Sequence, residues 1–357
     1  MGWTPTNLTE LTPELDVIFH IPGLYTTLNN HKHRNAYYNL NVCVNGLRYR
    51  PLPQNFELYI LGFWSEVFDE EWFYKSYLNN PHAQFLILSD RAANDLIKLP
   101  RVTWIRMLHW KFFLPAGQTN SIDWAKRRYK ISSLSGRVTE FRYFISAKLL
   151  NRPDVLMRWN RSYQKDDSID YIFATTGYAA RDSLLSMSHQ FNKPINSEIY
   201  INDPIESLGK SLTNPAYSES LINCINETKD VSWVESVGIC PGPYITEKTW
   251  KPLINGNALI FVGQSKISST LKELGFKFDY PWSNNYDLVT GDLDRLERIL
   301  MLIDEILSLS ADCIIDGIRG SAEFNQRLVY SDEIKNTIDS INQQALFQLN
   351  HYFKTNV

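Results

Sequence analysis

The chain has 357 residues, room for about two domains at roughly 150 residues each. Apolar residues make up 44% and charged residues 21%, and 36 basic against 39 acidic side chains leave a formal charge of −3. These values exclude a disordered chain and collagen-like and low-complexity classes, and they argue against sequence-blind, charge-driven nucleic-acid binding while leaving room for a local basic groove.

Short apolar runs bounded by polar residues predict strands at Leu15–Ile21, Phe56–Phe63, Gln84–Leu88 and Val102–Leu108. Helical spacing predicts Asp69–Leu78, with acids in its first turn, and Ala92–Leu99. The pattern restarts with strands at Tyr129–Leu134, Asp170–Ala174, Glu198–Ile201, Leu221–Ile225 and Ala258–Gly263. Helices are predicted at Thr139–Leu150, Tyr178–Phe191, Leu293–Leu307 and Ser331–Phe353, the last with Ser331 as its cap. Strand and helix in alternation read as α/β with largely parallel sheets. The polar stretch Gly117–Lys126 is the best boundary. It gives a first lobe over 1–125, a second over 126–330, and a terminal helix over 331–357 packing back on the first.

The N-terminal MGWTPTNLTELTPELD is polar and acidic, unlike a signal peptide, and no apolar run approaches the ~18 residues of a membrane helix. A cytoplasmic protein without membrane contact is expected. Cys43, Cys224, Cys240 and Cys313 form no C-x-x-C pair and read as reduced thiols. No metal is expected: His31-Lys32-His33 has the wrong spacing for two ligands on one helix face, and Asp292-Leu293-Asp294 reads as acids opening a helix. Gly209-Lys210-Ser211 lacks the earlier glycine of a P-loop, and no G-x-G-x-x-G follows a strand.

Chemistry concentrates in Pro241–Gly263. A Pro/Gly loop enters a helix capped by Thr246, with Glu247 and Lys248 in the first turn and a stop near Asn255-Gly256. Pro252 predicts either a kink or a helix that begins there. A lysine at a helix start opposes the dipole, a conflict resolved if an anion sits at that end. The bland alternative is an ordinary surface helix.

Tyr244-Ile245-Thr246-Glu247-Lys248, followed by Gly256 and an apolar strand, resembles the donor-site motif of α1,3-fucosyltransferase-like proteins, glycosyltransferase family ten. Asn226-Glu227-Thr228 is similar to that family's Glu-Asn-Ser/Thr block with the first two residues exchanged. Lys130–Leu134 with Arg137 and Arg142 is similar to the segment opening its donor lobe. The likeness covers about Tyr129 to Asp287, and its spacing also resembles glycosyltransferase-like proteins of phage genomes. The resemblance implies a GT-B fold, two Rossmann-like lobes with a cleft between them, and an inverting, metal-independent transfer from a nucleotide-sugar without a further cofactor. It assigns donor binding to Tyr244, Thr246, Glu247, Lys248, Asn226, Glu227, Arg137 and Arg142.

The residue types suit that chemistry. The arginine fork matches phosphate oxygens bidentately, Lys248 adds a point charge, and Glu247 accepts from hydroxyls. The general base of an inverting transfer should stand at the carboxyl end of a first-lobe strand, where Asp90 and Glu66 fall. The acceptor is open. DNA carrying hydroxymethylated bases, in the cytoplasm of a phage-infected host, is one option, since Arg101–Lys111 and Lys126–Lys130 interleave basic and aromatic residues. A glycan or small molecule is another, and a non-catalytic two-lobe binding protein is the alternative of a different class.

Overall fold

The computed structural model describes residues 21, 23–31, 35–40, 51–63, 70–90, 99–108, 110–117, 119–135, 140–149, 152–159, 215–226, 243, 245–282, 284–289 and 292–356. In chain order their elements are α1 (Leu24–Asn30), β1 (Ala36–Asn39), β2 (Leu58–Phe63), α2 (Glu70–Asn79), β3 (Gln84–Ser89), β4 (Val102–Arg106), β5 (Tyr129–Ser135), α3 (Glu140–Leu149), β6 (Val155–Trp159), α4 (Pro215–Ser218) and β7 (Ser220–Asn226). Then follow α5 (Glu247–Ile254), β8 (Ala258–Val262), α6 (Ile267–Lys272), α7 (Asp292–Ser308), α8 (Ala311–Tyr330) and α9 (Asp332–Asn356). The fold is mixed α/β with two four-stranded parallel sheets, ordered β1-β2-β3-β4 and β6-β5-β7-β8. The expected elements at Asp170–Ala174, Tyr178–Phe191 and Glu198–Ile201, nearly all of Leu15–Ile21 and Ala92–Leu99, and the cap Thr139 lie outside the described residues.

The described residues form two compact units. One holds those through Phe112, Pro243 and those from Asp332 on; the other runs from Phe113 to Ser331 without Pro243. The expected boundary at 125/126 falls inside the second unit, because the stretch before it packs there. Trp124 Nε1 donates to Glu323 on α8 at 3.2 Å, and Ile122 lies against Gly256.

In the first unit the period-two rule fills both faces of the sheet. Tyr38, Leu58, Ile60, Leu86, Leu88 and Ile105 pack with α1 and with Leu346, Leu349 and Phe353 of α9. Tyr37, Tyr59, Leu61, Phe85 and Ile87 pack with Phe73 and Tyr77 of α2. Asn342 of α9 locks the helix to the strand end: it accepts from the Leu108 N–H at 2.7 Å and donates to the Leu108 carbonyl at 2.9 Å. The second unit uses the same device, Asn325 of α8 gripping both peptide groups of Lys277 at 2.8 and 2.6 Å.

β8 is an edge strand among the described ones, and side chains close its open side. The Leu259 and Phe261 N–H groups donate to the Tyr280 and Tyr286 hydroxyls at 3.2 and 2.9 Å. The fully buried Arg295 donates to the carbonyls of Phe261 and Gly263 and pairs with buried Asp287 at 3.2 Å. An edge satisfied this way offers nothing to a foreign strand.

Candidate functional site

The second sheet reverses direction between β5 and β7. From β5 the chain passes through α3 to β6 on one side, then returns to add β7 on the other. In parallel α/β sheets ligands collect outside the strand carboxyl ends at such a switch point. A helix joining two parallel neighbours runs back against them, so α3 and α5 both begin at the carboxyl edge. Arg142 lies in the first turn of α3, Asn226 ends β7, and Thr246, Glu247 and Lys248 open α5.

Arg142 and Asn226 meet. The Arg142 Nη2 donates to the Asn226 main-chain carbonyl at 2.8 Å, and the two residues are only 3% and 1% exposed. The Asn226 amide is held from β5: its Nδ2 lies 2.8 Å from Ser133 Oγ, 3.2 Å from Ser135 Oγ and 3.3 Å from the Leu134 carbonyl. A carbonyl only accepts, so the amide nitrogen faces β5. The Asn226 Oδ1 then has no hydrogen-bond partner among the described residues.

Thr246 caps α5 as its sequence predicts, accepting from the Lys248 N–H at 3.3 Å. The helix begins at Glu247 and runs through Pro252, so a helix starting at the proline is excluded. The Lys248 ammonium lies 3.3 Å from Thr246 Oγ1 and 3.5 Å from a Glu247 oxygen. Part of the dipole conflict is thus offset inside the chain. Both side chains of that pair are partly exposed, where an ion pair is worth about 0–1 kcal/mol. The helix ends with Asn257 N–H on the Pro252 carbonyl and Gly256 N–H on that of Leu253, around Gly256 at φ +68°.

Compared with protein-family models, curated proteins and solved structures, the chain matches none.

In the first unit Asp90 follows β3 at its carboxyl end. It is 2% exposed, and its Oδ2 accepts from Trp110 Nε1 at 3.2 Å. Glu66, Arg137, Glu227 and Tyr244 lie outside the described residues. His31 Nε2 lies 3.0 Å from Asn350 Oδ1 and its ring stacks on Phe353, while His33 lies outside the described residues. No three His, Cys, Asp or Glu side chains gather as a metal-holding group among the described residues, and no helix there is long and apolar enough to cross a membrane.

The two basic stretches have internal uses. Arg101 donates to the carbonyls of Tyr77, Asn80 and Ala83, Arg106 contacts the Asp90 carbonyl, and Lys111 pairs with Asp339. Buried Arg127 donates to the carbonyls of Tyr217, Ser220 and Asn255. Lys126, Arg128 and Lys130 sit on Asp123, Glu219 and Asp154. Trp110, one of the aromatic residues of the first stretch, is buried. Sequence reasoning missed these engagements because every partner but Asp123 is remote in the chain. It also missed Ser133 and Ser135, whose signal is polarity in a strand flanked on both sides.

Proposed function

We propose that the chain is an inverting glycosyltransferase of the GT-B type, moving a sugar from a nucleotide-activated donor to an acceptor hydroxyl. One observation carries the reading: Arg142, Asn226 and Thr246–Lys248 share the carboxyl edge of one parallel sheet, at its switch point. In this reading the departing diphosphate meets the Arg142 guanidinium, the Lys248 ammonium and the start of α5, and no resident metal is required. The Asn226 Oδ1, a buried acceptor, takes a sugar or ribose hydroxyl, and Glu247 a second. The transfer also needs a general base, for which Asp90 and Glu66 are the candidates; Trp110 holds one Asp90 oxygen.

The internal engagement of Arg101 and Arg127 favours a glycan or small-molecule acceptor over duplex DNA. An arginine holding three carbonyls reaches a phosphate only by releasing them. A thermal-shift screen against UDP, GDP, CDP and their sugars tests the function. At least one ligand is expected to raise the melting temperature by mass action, and the matching nucleotide-sugar to release its nucleoside diphosphate. Binding without release supports the non-catalytic alternative, and a screen without any shift contradicts the donor site.

A further inference from the structure

β5 has neighbours on both sides, a setting that favours branched apolar residues. Two alternate positions on one of its faces instead carry Ser133 and Ser135, 0% and 4% exposed. Both hydroxyls meet the Asn226 amide. The main-chain carbonyl of that same residue receives the Arg142 guanidinium.

We propose that Ser133 and Ser135 are positioning residues for Arg142, acting through Asn226 to set the plane of the guanidinium. The inference rests on reading this edge as the diphosphate site. Asn226 is the last residue of β7. Its side-chain clamp to β5 restrains it there. The carbonyl stays fixed, and the planar fork bonded to it holds one orientation. Orientation matters because bidentate recognition of a phosphate needs both donors in the plane of its oxygens. A valine at either serine would bury more apolar surface but leave the Asn226 amide facing carbon.

The test uses the full chain labelled with ¹⁵N-arginine, with the Arg142 signal assigned by Arg142→Lys. NMR follows rotation of the Arg142 guanidinium, and calorimetry follows inorganic pyrophosphate. The Ser133→Ala/Ser135→Ala variant, or Ser135→Ala alone if the double variant fails to fold, is expected to speed that rotation. It should weaken pyrophosphate roughly three- to tenfold. Ser135→Thr, which keeps the hydroxyl, should preserve both readouts. In an Arg142→Ala background the serine substitutions should leave affinity unchanged. An unaltered Arg142 signal, or an equal affinity loss without Arg142, overturns the proposal. If the signal responds but the unmodified chain binds no pyrophosphate, the diphosphate reading fails while the positioning role stands.

Discussion

At Phe261 the main-chain N–H points away from the sheet and ends on the Tyr286 hydroxyl. Burial raises the Tyr286 phenol above its ordinary range, with the neighbouring Asp287 carboxylate adding to it. The hydroxyl therefore stays protonated and keeps its place. Tyr286→Phe removes the acceptor and leaves a buried amide unpaired. A loss of about 1–3 kcal/mol in urea-induced unfolding is expected, and an unchanged midpoint would contradict the edge-capping role. Asp287 feels opposing forces: burial, the larger, raises its carboxyl, while Arg295 and the Ser268 hydrogen bonds pull it down. A buried pair of this kind is costly to break from one side, so Arg295 and Asp287 are read as structural.

At the scale of elements, α5 shows how much local chemistry decides. Its cap at Thr246 and its stop at Asn255-Gly256 were both legible, because each depends on residues a few positions apart. Gly256 has φ +68°, and a Cβ there would lie 2.2 Å from Ile122 Cδ1. Gly256→Ala should cost about 1–3 kcal/mol from backbone strain, plus the clash. Denaturation in an Ile122→Ala background should recover only the clash; full recovery would show that the backbone bears no strain. By contrast α8, a 20-residue helix, was missed. Its two glycines lower helix propensity, yet Gly317 is what packing requires: a Cβ there would lie 2.6 Å from Pro281 Cγ. The same division applies to the candidate site. The Thr246–Lys248 motif was readable from spacing. The Asn226 clamp and the carbonyl under Arg142 were not, because register, not sequence distance, brings β5 and β7 together.

At the scale of the molecule, two parallel sheets are each closed by helices from distant parts of the chain. α9 returns from the C-terminus to cover a face of the first sheet. Central strands so enclosed make stability sensitive to high pH. Burial pushes the Cys224 thiol on β7 from an ordinary value of 9.0 up to about 12. Below pH 9 both folded and unfolded chains hold that proton. Between about 9 and 12 the unfolded chain releases it and the folded chain does not, so stability falls as pH rises. The slope from this one group approaches about 1.4 kcal/mol per pH unit. Unfolding at pH 8 to 10.5 should therefore show a decline that Cys224→Ala makes shallower; equal slopes would show that the thiol is not the origin.

All of the functional account depends on an anion being gripped at the carboxyl edge of the second sheet. Calorimetric titration of UDP, GDP and CDP into the unmodified chain, Lys248→Ala and Arg142→Ala measures that directly. The account predicts saturable binding of at least one nucleoside diphosphate, weakened roughly tenfold or more by either substitution. Binding by neither the chain nor its variants, or equal binding by all three, would contradict it.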